Sequence, residues 1–152
     1  MDDIITVIES EDRRRADQFL DSAWREYHAS RNDDPGIDWH SEPVFLIASS
    51  AGGGIAGVAK GRVVAGVGHL SDLMVTPAER GRGVGSGLLG AFEEHCRAAR
   101  CHKLTVHTEE HSDAHRFYLA RGWRQEARFV NDKGQQDFVR LVKFPSSTPT
   151  CK

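Results

Sequence analysis

Between Leu73 and Thr108 the chain leaves an apolar strand, crosses a glycine-rich turn, follows a helical pattern and returns as a second strand. A strand, helix, strand passage of this kind lays its two strands parallel, because the helix must cross one face of the sheet to come back. The segments before it are joined differently. VFLIAS (44–49), IAGVAK (55–60) and the run from Gly66 to Val75 are separated only by short turns, which predicts antiparallel neighbours. Parallel and antiparallel pairing in one chain means a mixed α/β sheet.

The remaining pattern fills in that sheet. Ile4, Ile5, Val7 and Ile8 suggest a first strand, and Ser10 is placed to cap a helix over 11–28 with Phe19, Leu20, Ala23, Trp24 and Tyr27 on one face. SRNDDPGIDWHSEP (30–43) is a polar loop. Pro77 closes the third strand of the meander, since proline cannot continue a ladder. The helix after it starts near Gly83 to Gly85 and buries a face made of Val84, Leu88, Phe92, Cys96 and Ala99. KLTVHT (103–108) is a strand; Ser112 caps a short helix carrying Ala114, Phe117 and Tyr118; Gly122 stands where a helix ends. WRQEARFV and DFVRLVKF make a terminal hairpin. The expected architecture is a single, largely antiparallel sheet of about seven strands with helices on both faces. It forms one domain over residues 1–145, followed by a disordered tail from 146 to 152.

Charge narrows the partners. Twenty basic residues stand against 22 acidic ones in 152, a net charge of −2, so nothing draws the whole molecule to nucleic acid or to an anionic membrane. Any anion site must be local, and residues 80–103 have a local excess in Arg80, Arg82, Arg97, Arg100 and Lys103 against Glu93 and Glu94. The opening MDDIITVIESEDRRR lacks the apolar core of a signal peptide, and no run is long enough to span a membrane. Cys96, Cys101 and Cys151 form an odd set without metal spacing, which reads as reduced thiols in a cytoplasmic protein.

RGRGVGSGLL (80–89) concentrates that local charge on bare backbone. A strand end, a glycine turn and a helix N-terminus together present unpaired amides and the positive end of a helix dipole, and the two arginines add charge-assisted donors. Three kinds of phosphate loop fit this outline. A Walker A loop needs a terminal Gly-Lys-Ser/Thr, and the lysine is missing. GSGLLG (85–90) matches G-x-G-x-x-G, but a dinucleotide loop starts where its strand stops, and here Pro77 intervenes and the motif falls inside the helix. The third fits best. LMVTPAERGRGVGSGLL resembles the signature of the GNAT acetyltransferase family: a strand ending Leu-x-Val, a proline two residues on, then Arg-x-x-Gly-x-Gly at Arg80, Gly83 and Gly85. DAHRFYLARGW (113–123) resembles the second motif of that family, with Trp123 in place of phenylalanine. The two motifs occur in the family's order, and the element order matches over nearly the whole chain.

The resemblance implies a site for acetyl-CoA, with no metal. In that family the strand before the loop parts from its parallel neighbour and pantetheine lies in the gap. Carried over by position, the backbone of Leu73, Met74 and Val75 would meet pantetheine and point an N–H at the acetyl carbonyl. Arg80, Gly81, Arg82, Gly83, Val84, Gly85 and Ser86 would hold the pyrophosphate. Tyr118 would sit against the cofactor as the acid that protonates the leaving thiolate. Many relatives have an asparagine three residues before the motif's alanine; this chain has His111, which is the candidate for that contact. The implied reaction is acetyl transfer to a primary amine, on a small molecule or a peptide, by direct attack in a ternary complex. A non-catalytic acyl-CoA-binding regulatory module of the same fold is the alternative. Family members often pair as homodimers.

An oxyanion forms when an amine attacks a thioester, and a strand amide near Met74 is placed to meet it. The amine must first lose a proton. Asp72 is the candidate base, with a structural hydrogen bond as its other role, and His69 is weighed as a second group on the same strand. Strict alternation puts Asp72 with Leu70 and Met74, and His69 with Ser71, Leu73 and Val75. Glu109 and Glu110 read as solvated loop acids. HTEEH (107–111) matches a zinc-protease pattern, but His107 ends a strand and Ser112 begins a helix, so the two histidines should diverge. Trp39, His40, Asp38 and Glu42 lie in the loop where relatives build the acceptor wall.

Overall fold

The computed structural model describes residues 12–31 and 36–145. The strand expected over 4–8, the cap expected at Ser10, Pro35 and the tail from 146 lie outside the described residues. The chain divides into two compact units, Met1–Ile37 and Asp38–Lys152.

The first unit holds α1 (Arg13–Ser30). Its N-cap is Asp12, whose Oδ1 accepts the Arg15 N–H at 3.0 Å. The expected start at residue 11 behind a Ser10 cap is therefore corrected by two positions. Aspartate is as good a cap as serine, and Asp12 is the last such residue before the basic run.

The second unit is a six-stranded mixed sheet. Its strands are β1 (Glu42–Ser49), β2 (Ile55–Val64), β3 (Val67–Val75), β4 (Lys103–Glu109), β5 (Arg124–Phe129) and β6 (Phe138–Lys143), in the order β1-β2-β3-β4-β6-β5. Among the described strands only β3 and β4 are parallel, joined by the crossover helix α2 (Val84–Ala98); α3 (Asp113–Leu119) links β4 to the closing hairpin. β2 runs four residues beyond the expected IAGVAK. Its end is set by Ala65 and Gly66, both left-handed at φ 49° and 75°, the conformation that closes a two-residue hairpin.

One irregularity resets the faces of β3. The β2–β3 register passes from Lys60↔Asp72 to Gly61↔Leu70, leaving Ser71 as an unpaired extra residue. Such a bulge reverses the alternation. Gly68, Leu70, Leu73 and Val75 therefore all lie on the face that α2 covers, with Leu73 and Val75 packed against the core. His69, Asp72 and Met74 share the opposite face with Val58, Lys60 and Arg62. The strict alternation expected from the sequence is corrected by this one inserted residue.

The core sits between α2 and the sheet, centred on Leu89, Phe92, Cys96, Leu104, Val139 and Leu141. The helix lies close because the strands beneath it are bare where it crosses. A methyl group on Gly68 would overlap the Cys96 sulfur and reach Leu104 at 2.9 Å. Burial pushes the Cys96 thiol up to about 12. α3 ends in two bonds, Gly122 N–H to Leu119 O and Trp123 N–H to Tyr118 O, with Gly122 left-handed at φ 84°. These are the paired 5→2 and 6→1 bonds of a glycine-terminated helix. Trp123 is then buried, and its indole N–H donates to Glu93 of α2 at 3.0 Å, while Lys143 of β6 holds the same carboxylate. The tryptophan that replaces the family's phenylalanine thus ties the end of α3 to the middle of α2. No helix among the described residues is long and apolar enough to cross a membrane.

Gly68→Ala should cost about 1–3 kcal/mol through this forced displacement. Equilibrium urea unfolding measures it, and an unchanged midpoint would contradict the close approach of α2 to β3.

Candidate functional site

β3 ends at Val75, and a single turn of 3₁₀ helix over Pro77–Glu79 carries the chain to the glycine loop. Gly81 and Gly83 are left-handed at φ 75° and 83°, a region that side-chain-bearing residues enter only at a cost. Gly83 is the N-cap of α2 and has no side chain to cap with; the first helical bond runs from Gly87 N–H to Gly83 O at 2.9 Å. The amides of Val84, Gly85 and Ser86 therefore open the helix as its unsatisfied first donors. A Cβ built on Gly81 or Gly83 meets nothing within 4 Å, so the left-handed backbone, not crowding, calls for glycine at these two positions.

Three arginines surround this helix start. Arg80 folds back, with its Nε–H on the Val75 carbonyl at 3.0 Å. Arg82 pairs with Glu79 at 3.0 Å. Arg121, just beyond α3, donates to the Ser86 hydroxyl through both Nε (3.0 Å) and Nη2 (2.6 Å). Sequence reasoning missed Arg121. Its only signal was an arginine directly before the helix-terminating Gly122, and nothing local says that α3 ends beside the start of α2.

The parallel pair parts beside the same loop. β3 and β4 are paired only from Val67↔Lys103 to Leu70↔Val106. β3 continues to Val75 and stays paired with β2 up to Gly57↔Val75. β4 continues to Glu109 and stays paired with β6 up to Glu109↔Phe138. Each strand is held from its outer side while the inner seam opens.

Tyr118 lies on α3, which packs on β4. It is 4% exposed, between Phe117 (ring centroids 5.3 Å) and Trp123 (5.6 Å). Burial pushes its hydroxyl up to about 12. The turn before α3 holds His111 at φ 63° with its imidazole largely in solvent. Its backbone N–H donates to His115 Nδ1 at 3.0 Å, and its carbonyl accepts from Arg116 at 2.6 Å.

A family model described as the acetyltransferase (GNAT) family matches residues 13–123. The chain belongs to the GNAT family. It is 40% identical over 60 residues to an aminoalkylphosphonate N-acetyltransferase of Salmonella typhimurium, a stretch that spans 39% of this chain and 39% of that protein. Among solved structures, an acetyltransferase from Bacillus cereus superposes with a TM-score of 0.73 at 20% identity, covering 91% of this chain and 97% of that one. A further acetyltransferase structure from Agrobacterium tumefaciens gives 0.67 at 20% identity, with 95% and 99% covered. These structural likenesses carry the fold, including the mixed sheet with one parallel pair.

Within this GNAT chain His69 and Asp72 of β3 share one face of the sheet with Thr105 and His107 of β4. His69 bonds Thr105 Oγ1 through Nδ1 at 2.8 Å, across the last paired stretch of the parallel strands. Burial, then the cations Arg62 and Arg140, His107 and Lys103, hold His69 below the ordinary 6.5. His107, register partner of Arg140, accepts the Arg140 Nε–H at Nε2 (2.8 Å) and lies against Phe129; burial and the same arginine lower it too. His107 and His111 thus sit on different elements with different partners, unlike the two histidines of a zinc-binding helix. Glu110 is not the solvated acid expected: its side chain is 12% exposed and pairs with Arg128 at 2.7 Å. Asp72 is exposed on the face it shares with His69. In the 36–42 segment, Asp38 Oδ1 caps the His40 N–H at 2.8 Å and Trp39 is exposed.

The two lowered histidines set a pH dependence. Their folded pKa lies below the unfolded value, so above about pH 6.5 both states are neutral and stability is undiminished. On acidification the unfolded chain takes up protons first. Unfolding free energy should fall as pH drops below that value, and fall less steeply in His69→Gln/His107→Gln. Denaturation curves at stepped pH measure this; rising stability over the same interval would contradict it.

Proposed function

We propose that the chain is an acetyl-CoA-dependent N-acetyltransferase that transfers the acetyl group to a primary amine by direct attack in a ternary complex. The observation that carries this reading is the opening of the β3–β4 seam beside the uncapped N-terminus of α2, in a chain of the GNAT family. The amides from Arg82 to Ser86 would hold the pyrophosphate, and the backbone of Leu73, Met74 and Val75 would line the pantetheine arm. Arg80 already donates to the Val75 carbonyl. An N–H of this stretch that is not bonded to β2 is the proposed donor to the acetyl oxygen. His111 presents its backbone N–H to His115, so its exposed imidazole is the part left to reach the cofactor.

The amine lone pair attacks the thioester carbon, the carbonyl electrons move to oxygen, and collapse breaks the C–S bond while the proton now in excess on nitrogen leaves through water, net to the departing thiolate. Before attack the ammonium must give up a proton. Asp72 is the proposed acceptor, directly or through water; the bulge at Ser71 brings it onto the face of His69, whose lowered pKa supports that ring as the second candidate. Tyr118 is the proposed acid. A phenol at about 12 is roughly three units weaker than a thiol of ordinary pKa, about 8.5. Full transfer from Tyr118 to sulfur is therefore uphill. Its contribution is chiefly a hydrogen bond to the sulfur as charge develops there.

The acceptor proposed is a small-molecule amine, which the partial likeness to the Salmonella aminoalkylphosphonate N-acetyltransferase supports, with a peptide amine as the wider class. Trp39, His40, Asp38 and Glu42 are proposed to border it.

Acetyl-CoA mixed with a panel containing an aminoalkylphosphonate, a polyamine, an amino acid and a peptide should release free thiol continuously with at least one amine. Saturable acetyl-CoA binding with no release on any member would instead support a regulatory CoA-binding module. Tyr118→Phe should lower kcat by about 10- to 100-fold, the scale of a lost hydrogen bond to a charged atom, with acetyl-CoA affinity unchanged. Wild-type kcat in that variant would remove Tyr118 from the chemistry.

A further inference from the structure

Ser86 and Arg121 are 35 positions apart and meet because the end of α3 docks on the first turn of α2. The guanidinium is fixed on several sides. Nε and Nη2 donate to Ser86 Oγ at 3.0 and 2.6 Å, Nη1 donates to the Phe117 carbonyl at 2.9 Å, and the plane lies 3.7 Å from the Phe117 ring centroid. That ring in turn stands 3.6 Å from where a Cβ on Gly85 would be.

Two features of this clasp are unbalanced as it stands. A serine hydroxyl has two lone pairs and one proton. Two N–H groups of one Arg121 edge converge on this oxygen, so the hydroxyl proton turns away from the guanidinium, and among the described residues that proton has no acceptor. The charge is also unmatched. A cation at a helix N-terminus faces the positive end of the dipole and is disfavoured there. Arg82 has Glu79, but among the described residues neither Arg80 nor Arg121 has a carboxylate partner. An O–H donor, three open amides and the Arg121 guanidinium border the first turn of one helix, and the Arg80 guanidinium stands at the end of β3 that leads into it. Two of the five N–H donors of Arg121 are also still unused.

We propose that Arg121 is a positioning residue for the diphosphate of the acyl donor, acting through Ser86. By donating to the hydroxyl oxygen it turns the Ser86 O–H outward, free to donate to a pyrophosphate oxygen, and it holds that hydroxyl beside the amides of Val84, Gly85 and Ser86. The role rests on the acetyl-CoA reading above and adds to it a residue supplied by α3 rather than by the loop.

Calorimetric titration of the full chain with CoA, 3′-dephospho-CoA and pantetheine tests it. Arg121→Ala and Ser86→Ala should each weaken CoA and 3′-dephospho-CoA by about tenfold, the scale of one charge-assisted hydrogen bond, and leave pantetheine unchanged. The double variant should be little worse than the weaker single one, because the two act as a unit. Arg121→Lys keeps the charge without the fork; it should also weaken CoA, by less, and it serves if the alanine variant does not fold. Unchanged CoA affinity in Arg121→Ala would overturn the proposal. So would equal weakening of pantetheine, which marks a purely structural role, or a loss seen with CoA and absent with 3′-dephospho-CoA, which moves the contact to the 3′-phosphate. Wild-type protein that binds CoA not at all would overturn the acetyl-CoA reading itself.

Discussion

The parallel pairing of β3 and β4 lasts four residues on each strand and then stops, and the arrangement of the site follows from where it stops. A sheet seam closes wherever both strands can satisfy their backbones on each other. Here each strand is already committed on its outer edge, β3 to β2 as far as Val75 and β4 to β6 as far as Glu109. The bulge at Ser71 adds local twist to β3 at the point of parting, as bulges do. What remains between Ser71 and Val75 is strand backbone with its inner side unpaired by β4. Unpaired strand backbone is a template for pairing with another extended chain, and the proposed occupant of this seam is the pantetheine arm.

The second requirement is that an anion site stand at the mouth of that seam. α2 meets it because bare backbone at Gly68 lets the helix settle onto β3, and Phe92, Leu89 and Cys96 lock it there. α3 is then tied to α2 at two levels, through Trp123 and Lys143 on Glu93 and through Arg121 on Ser86. The buried phenol of Tyr118 lies three residues before Arg121 and five before Trp123, so the contacts that hold the helix start also hold the segment that carries the proposed acid. Positive charge gathers where the dipole already makes it unfavourable, and among the described residues only Glu79 pairs with it. The proposed diphosphate would relieve that tension.

Much of this was legible in the sequence. The crossover through 73–108 demanded a parallel pair, the short turns demanded the antiparallel meander, and Gly83 with Ser112 marked the two helix starts. All of these depend on local signals: periodicity, turn residues and caps. The faces of β3 were not legible, because a bulge is set by pairing with β2 and leaves no mark in LSDLMV itself. The burial of Glu110 was hidden for the same reason, since its partner Arg128 comes from the following strand. Arg121 was missed because its value lies in a contact across 35 positions. Asp12 for Ser10 was a choice between two equally suitable caps, which composition alone does not decide.

The central claim is geometric: a diphosphate on the amides that begin α2, with its thiol-bearing arm between β3 and β4. A crystal structure of the chain grown with CoA measures it most directly. The account predicts the pyrophosphate against Val84, Gly85 and Ser86, and pantetheine alongside Leu73 to Val75 in the open seam. CoA bound at another surface, or strands paired through Val75 with no room between them, would contradict it.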